Sequence, residues 1–245
     1  MHVVVCVKPI RGPVGFGSPV LHDADACGME LALRLAEQAG GGVVTAVAMT
    51  AGDPAAVGVV RAALALGGHG GVAVDGGALA GCDGLVTAKV LAAAIAPLRP
   101  DVVVAGTESG GTVPAQLAEL LGLPAVTAVR RAEVRGAVLE VERPGDRGGV
   151  EDVVCPLPAL VTATAGAVRP RFPTYAGLRA ARSAPIEVLS SSDLGLHPGA
   201  VGAAAGGRRP CRGTAMPRPP GVVVDDFDGG AHLPILEVLG WATAW

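Results

Sequence analysis

One segment constrains the fold more than any other, because a buried strand, a small-residue loop and a helix follow one another between residues 101 and 124. The run VVVA at 102–105 has no polar position, which is typical of a strand covered on both faces of a parallel sheet. The loop TESGGT comes next, and leucines then recur at helical spacing from Pro114 until Gly122. Backbone N–H groups at the start of such a helix predict a phosphate site, although any turn from a strand into a helix needs glycines as well.

The same alternation of strand and helix runs through the chain before this segment. Apolar runs predict strands at 2–7, 43–49 and 72–74. The segments between them predict a leucine-containing helix at 23–38, an alanine-rich helix at 55–66 and a helix at 83–97 that prolines end. We therefore expect an α/β fold with a doubly wound, Rossmann-like parallel sheet. Short β-patterns between 126 and 154 predict an antiparallel or mixed edge, and LVTAT at 160–164 predicts another buried strand.

Two features near the first strand point to the ligand-binding edge of that sheet. The segment 11–21 is rich in glycine and proline, and we expect it to lie as a loop over the carboxyl end of the strand, where α/β proteins bind ligands. Asp23 or Asp25 is expected to cap the helix that follows.

Composition narrows the possible functions. Half of the residues are hydrophobic but only 2% are aromatic, so the core must be aliphatic, and a net charge of −3 gives no support for a nucleic-acid or anionic-membrane surface. No apolar run reaches the roughly 18 residues of a membrane helix, and the N-terminus lacks the pattern of a signal peptide. The five cysteines are scattered without metal-ligand spacing, which favours reduced thiols and a cytoplasmic location without a metal site.

The chain is expected to divide near residue 190. Residues 1–190 form the predicted α/β domain, whereas the sequence after Ser183 becomes rich in proline, glycine, serine and arginine. We expect residues 191–245 to form an extended arm that wraps a partner or stays flexible. A short amphipathic helix is predicted at 231–245, and it either caps its own domain or grips a partner subunit.

Four blocks, taken together, resemble a known family. They are VVVCVKPI at 3–10, DADACGMELALRLAE at 23–37, VTAVAMTAGDPAAVGVVRAALALGG at 44–68 and LPALVTATAGAVRPRFPTYAGLRAARSAPIEV at 157–188. In this order they resemble the β subunit of electron transfer flavoproteins, and the last block is the most specific. The resemblance covers roughly residues 2–196 and implies an adenine-nucleotide-binding α/β domain.

The resemblance also implies a function and a set of partners. A β subunit of this family pairs with an α subunit, and the heterodimer holds one FAD, mainly through the α subunit, while the β subunit binds AMP. The complex takes electrons from a primary dehydrogenase and passes them to a quinone oxidoreductase and the respiratory chain. This chain is then an electron carrier subunit without bond chemistry of its own.

Carried over position by position, the AMP pocket takes residues from four places in the sequence. They are Cys6, His22, Asp23, Ala24, Asp25, Ala51, Gly52, Ser109, Gly110, Gly111, Thr112 and Val113. All four groups fall at predicted carboxyl ends of strands or at helix N-termini, where α/β proteins bind nucleotides and phosphates. For Asp23 and Asp25 simple helix capping stays an alternative, and for Cys6 a small core residue.

The segment after the last buried strand resembles the family's exposed recognition loop for dehydrogenases. The residues carried over to this docking role are Arg171, Phe172, Thr174, Tyr175 and Leu178. An exposed aromatic in a proline-stiffened segment loses little conformational entropy on docking, so Tyr175 is a candidate hot spot. The alternative is that Phe172 and Tyr175 cover the edge of the sheet.

The chain also departs from the family pattern. The phosphate loop is shortened to AGTESGGTVP, without the acidic pair and glutamine of the family, which leaves open whether AMP is retained. These departures suggest a divergent paralogue dedicated to one dehydrogenase or to a specialised redox-cofactor pathway. The alternative function is a stand-alone adenine-nucleotide-binding regulator of the universal-stress type, although no G-x-x-G-x(9)-G-[ST] element lies near the last strand.

Overall fold

A computed structural model of the chain describes residues 1–10, 20–52, 55–107, 111–145 and 148–207. The strands are β1 (His2–Cys6), β2 (Pro9–Ile10), β3 (Val20–Leu21), β4 (Val43–Thr50), β5 (Gly70–Asp75), β6 (Val102–Gly106), β7 (Ala125–Val126), β8 (Arg131–Arg135), β9 (Val138–Pro144), β10 (Val150–Pro156), β11 (Ala159–Ala163) and β12 (Ile186–Leu189). The α-helices are α1 (Asp23–Gln38), α2 (Ala55–Ala65), α3 (Gly84–Ile95), α4 (Val113–Leu121) and α5 (Tyr175–Ser183).

Seven strands form the central sheet in the order β12-β5-β4-β1-β6-β11-β7, and every neighbouring pair is parallel. Helices cover both faces, so the predicted doubly wound α/β fold is confirmed. Side chains alternate between two apolar clusters: Val3 and Val5 of β1 join the cluster under α1 and α2, whereas Val4 joins the cluster under α3 and α4. Both clusters are aliphatic, as the composition predicts.

The strand order reverses at β1. From β1 the chain adds β4 and then β5 on one side, and it crosses to the other side of β1 for β6. In a parallel sheet of this kind, ligands bind outside the carboxyl ends of the strands at this switch point. The fold therefore places the candidate site between the ends of β1 and β6.

The region after Pro124 splits between two sheets. Strand β7 lies at the edge of the central sheet, parallel to β11, whereas β8, β9 and β10 form a separate antiparallel sheet. The sequence predicted short strands here, but it did not show which of them leave the central sheet, because the pairing partners of a short strand are set by the fold.

Residues 191–207, the first part of the predicted arm, lie against the core. Val201 is buried, and Leu194 and Leu196 pack against the cluster under α3 and α4. The predicted loop residues 11–19 and the predicted terminal helix at 231–245 lie outside the described residues, so the boundary near 190 stays a prediction. Within the described ranges, no helix has the length and apolar character needed to cross a membrane.

Candidate functional site at the switch point of the sheet

A cavity of about 360 Å³ lies at the switch point. Its walls come from the ends of the central strands and from α1, α3 and α4. The lining residues are Cys6, Val7, Lys8, Asp25, Met49, Thr87, Leu91, Ala105, Gly106, Thr107, Gly111, Val113, Pro114 and Leu117. The volume falls in the range of about 300–1,000 Å³ that is typical of ligand pockets, and most of the walls are apolar with a few polar groups, as such pockets require.

The buried carboxylate of Asp25 connects the strand ends that frame the cavity. Asp25 is only 2% exposed, and its Oδ2 accepts the backbone N–H of Lys8, just after β1, at 2.8 Å. On the β6 side, a Cβ added to Gly106 would lie 2.0 Å from Asp25 Oδ1 and 2.8 Å from its backbone nitrogen. Glycine at 106 is therefore what allows the start of α1 to approach β6 this closely.

The predicted capping role of Asp23 or Asp25 is wrong. His22 is the N-cap of α1, and its Nδ1 accepts the backbone N–H of Ala24 at 3.2 Å. Asp25 lies one turn further in, with its carboxylate turned towards the strand ends. The sequence analysis considered only the two aspartates for the cap and missed His22, which directly precedes them.

Cys6 ends β1 beside this carboxylate. Desolvation, and to a smaller extent the negative charge of Asp25, raise the pKa of the Cys6 thiol to about 12. The thiol is therefore protonated at neutral pH and is a weak nucleophile. It lines the cavity as a small, neutral wall residue.

The N-terminus of α4 opens onto the same cavity. Gly111 and Val113 line it, and Thr112 is the N-cap residue, but the Thr112 side chain makes no capping hydrogen bond. Pro114 has no N–H to donate. The other backbone N–H groups in the first turn of α4 do not donate to the Thr112 side chain, which is the usual partner at a helix N-terminus. The predicted site residues Ser109 and Gly110 lie outside the described residues.

Ala51 and Gly52 follow β4 at the same edge of the sheet, but neither lines the cavity. The Gly52 N–H donates to Asp75 Oδ1 at 2.6 Å, and the Thr50 hydroxyl donates to the same oxygen at 2.7 Å. Asp75, at the end of β5, thus fixes the turn after β4. Sequence analysis missed it, although its position one residue after a predicted strand was a usable signal.

The structure therefore brings some of the predicted pocket residues together and separates others. Cys6, Asp25, Gly111 and Val113 line the cavity, whereas Asp23 lines a neighbouring one of about 380 Å³ with Arg169 and Pro170. The lining residues that sequence analysis missed include Lys8, Thr87, Leu91 and Thr107. In the described part of the chain, no group of three His, Cys, Asp or Glu side chains is arranged to hold a metal ion.

The predicted docking residues lie on and before α5. Phe172 and Tyr175 are 81% and 83% exposed, which does not fit the alternative that they cover a sheet edge. Thr174 is the N-cap of α5, and its hydroxyl accepts the Gly177 N–H at 3.0 Å, so the predicted loop ends in a helix at Tyr175. Leu178, one turn further along α5, is 45% exposed. These three apolar side chains form the surface that we call the docking surface.

The chain is similar to known proteins of one family. A family model described as "Electron transfer flavoprotein domain" matches residues 18–194. The chain is 32% identical over 223 residues to the electron transfer flavoprotein subunit beta of Mycobacterium tuberculosis (strain ATCC 25618 / H37Rv), which covers 87% of this chain and 84% of that relative. It is 34% identical to the protein of the same name from Thermoanaerobacterium thermosaccharolyticum, over 71% of this chain and 68% of that relative. It is 32% identical to the one from Bacillus subtilis, over 72% of this chain and 69% of that relative. These matches do not favour a stand-alone regulator.

Proposed function

The chain belongs to the electron transfer flavoprotein family as a β subunit, and on that premise we propose that it pairs with an α subunit in a heterodimer that carries electrons. The heterodimer accepts electrons from a primary dehydrogenase and delivers them to a quinone oxidoreductase. FAD, held mainly by the α subunit, supplies the redox chemistry when it is bound. This chain contributes a nucleotide site and a docking surface, without bond chemistry of its own.

The main structural support for the nucleotide-binding part of this function is the cavity at the switch point. Its apolar side chains, such as Met49, Leu91 and Leu117, suit the faces of an adenine base, and Thr87 and Thr107 offer polar groups. The N-terminus of α4 suits a phosphate, because its amides and dipole favour negative charge. We therefore propose that the cavity binds AMP, with Gly111, Thr112 and Val113 at the phosphate.

Cys6 supports a binding role for this cavity over a catalytic one. The Cys6 thiol is the strongest potential nucleophile among the residues that line the cavity. Its raised pKa keeps it protonated at neutral pH, so it reacts slowly. Cys6 and Asp25 then shape the cavity: Asp25 accepts the Lys8 N–H after β1 and packs closely against Gly106 at the end of β6.

The docking surface is proposed as the contact for the primary dehydrogenase. Phe172 and Tyr175 are the most exposed of the large apolar side chains in the described ranges. Phe172 follows Arg171, whose backbone N–H donates to Glu30, and Tyr175 begins α5 directly after the Thr174 cap. Exposed aromatic residues on a rigid support are typical anchors of protein interfaces, because little conformational entropy is lost on binding. A panel of flavin-dependent dehydrogenases from the same cell, each tested for reduction of the heterodimer, identifies the donor.

We further propose that this β subunit is dedicated to one dehydrogenase or to a specialised redox-cofactor pathway. The shortened loop before α4 and the other departures from the family pattern are the basis of this proposal. Its test is reduction of the heterodimer by a medium-chain acyl-CoA dehydrogenase. We expect slow reduction, and reduction as fast as that of general family members would contradict the dedication.

The first experiment on the function is a tagged purification from the native cell, followed by an absorption spectrum and nucleotide extraction. We expect a stoichiometric, slightly larger partner, a yellow eluate that contains FAD, and AMP in the extract. A colourless single chain or homodimer that carries ATP would contradict the proposed function and favour a nucleotide-binding regulator.

A further inference from the structure

The guanidinium of Arg171 is shared between two carboxylates of α1. Its Nε donates to Glu30 Oε2 at 2.8 Å, and its Nη1 donates to Glu37 Oε1 at 2.7 Å. The backbone N–H of Arg171 donates to the same Glu30 oxygen at 3.1 Å. Glu30 and Glu37 are seven residues apart, which places them two turns apart on one face of the helix. One planar side chain thus bridges two successive sites along α1.

The two carboxylates differ in how much they stabilise this contact. The Glu30 side chain is 6% exposed, whereas the Glu37 side chain is 59% exposed. Exposed ion pairs contribute little, but removing one partner from a buried pair leaves an uncompensated charge. The Glu30 contact is therefore the stronger constraint, and Glu37 mainly orients the other side of the guanidinium.

Ionisation keeps this contact intact at neutral pH. Desolvation raises the pKa of Glu30, but the hydrogen bonds from Arg171 and Arg34 outweigh it and hold this pKa below its ordinary value. Hydrogen bonds to Glu37 and Glu30 raise the pKa of Arg171. Arg34 donates to Glu30 at 2.7 Å from within α1, so it stabilises the same carboxylate without contacting the docking segment.

The chain on both sides of the docking surface is held by other contacts. Before it, the Cys27 thiol of α1 donates to the carbonyl of Val168 at 3.1 Å. After it, Arg61 of α2 donates to the carbonyls of Ala181 and Arg182 at 2.7 and 2.9 Å, near the end of α5. A Cβ added to Gly177 would lie 2.5 Å from the carbonyl oxygen of Ala65, so α5 also approaches the end of α2 closely.

Arg171 directly precedes Phe172, so its hydrogen bonds to Glu30 and Glu37 join this end of the segment to α1. We propose that Arg171 is a positioning residue: it fixes the segment 171–174 to α1 so that Phe172 and Tyr175 are presented in one orientation. Its side chain is committed to Glu30 and Glu37 and does not contact the partner. The last step, presentation to a partner, rests on the proposed docking function, but the fixing of the segment is measurable without any partner.

The test is hydrogen exchange with mass spectrometry on the purified heterodimer. Arg171→Lys keeps the charge but replaces a planar fork with a single ammonium, which cannot bridge both carboxylates in the same way. We expect peptides that cover 171–178 to exchange at least about tenfold faster in Arg171→Lys than in the wild type. Arg34→Gln is the matched control, and we expect its exchange over the same peptides to stay within about twofold of the wild type.

A second variant covers the case in which Arg171→Lys does not fold. Glu30→Gln keeps the shape of the side chain and removes its charge, and it should accelerate exchange in the same peptides. Unchanged exchange of peptides from β1 and β4 shows that the core of each variant is intact. Wild-type exchange over 171–178 in the variants would overturn the positioning role.

The kinetics with the donor dehydrogenase identified in the panel separate the two proposals. If Arg171 positions the docking surface, Arg171→Lys raises KM for the donor several-fold with unchanged kcat and unchanged FAD content, and exchange is faster. Faster exchange with an unchanged KM would keep the positioning of the segment and contradict its docking function. A raised KM with wild-type exchange would mean that Arg171 contacts the partner directly, which overturns the inference.

Discussion

The cavity and the docking surface are built in opposite ways. In the cavity, Asp25 is 2% exposed and fixed between strand ends, and Gly106 leaves no room for even a Cβ atom. On the docking surface, Phe172 and Tyr175 are more than four-fifths exposed and only their backbone is held. A change at Asp25 or Gly106 should therefore disturb the fold together with the ligand, whereas a change on the docking surface should disturb partner binding alone.

The largest loss of stability is expected from Gly106→Ala. The new Cβ would lie 2.0 Å from Asp25 Oδ1, so the start of α1 has to move away from β6. We expect a loss of about 3 kcal/mol, at the upper end of the usual cost of overpacking. Urea denaturation measures it, with Gly77→Ala as the control, because a Cβ at Gly77 meets nothing within 4 Å. Equal stabilities of the two variants would show that the contact between α1 and β6 is not tight.

Asp25→Ala should have the next largest effect. It removes the acceptor that the Lys8 N–H uses, and we expect a loss of about 2 kcal/mol in the free energy of unfolding. Asp25→Asn keeps an acceptor oxygen and should lose less. The pKa of the Cys6 thiol should fall in both variants, because the charge of Asp25 is one of the causes that raise it. A pH titration of Cys6 alkylation checks this, and an unchanged profile would contradict the contact.

Glu30→Gln tests the attachment of the docking segment through pH. At neutral pH we expect a loss of about 1.5 kcal/mol, since hydrogen bonds to a charged group are removed. The folded-state pKa of Glu30 lies below its ordinary value of 4.5, so its contribution is present above that value and is lost as the pH falls through the folded pKa. The stabilities of wild type and variant should therefore converge in acid. A difference that stays constant down to strongly acidic pH would contradict the ionic contact.

The smallest effect on stability is expected at the docking surface. Phe172→Ala and Tyr175→Ala remove side chains that are almost fully exposed, so the free energy of unfolding should stay within about 0.5 kcal/mol of the wild type. Binding to the donor dehydrogenase should nevertheless weaken by about 30-fold if the two residues are hot spots. The control is Val188→Ala, which removes an exposed apolar side chain from the edge strand β12. Equal binding of all three variants would contradict the docking role.

The elements of the central sheet could be predicted from the sequence because each has a strong local signal. Apolar β-branched runs predicted β1, β4 and β6, leucines at helical spacing predicted α4, and a leucine-containing segment between Asp23 and Gln38 predicted α1. The helix α5 was missed because its cap, Thr174, lies in a proline-rich segment that is typical of a loop. The apolar face of α5 packs on α2, and the sequence alone does not indicate this partner.

The candidate site was predictable only in part, for a similar reason. Residues at strand ends and helix starts, such as Cys6 and Val113, are marked by their position in the sequence. Thr87 and Leu91 lie inside a helix with no local sign of a binding role, and only the packing of α3 beside α4 brings them to the cavity. For Arg171 the sequence suggested a docking role, whereas its guanidinium binds Glu30 of α1 inside the same chain.

The most direct measurement is the nucleotide and flavin content of the heterodimer purified with its α subunit, for the wild type and for Thr87→Phe. Thr87 lines the cavity from α3, and a larger side chain there occupies space that the proposed nucleotide needs. We expect AMP and FAD in stoichiometric amounts in the wild type, FAD without AMP in Thr87→Phe, and both in Tyr175→Ala. A wild-type complex without flavin, or AMP retained at full stoichiometry in Thr87→Phe, would contradict this expectation.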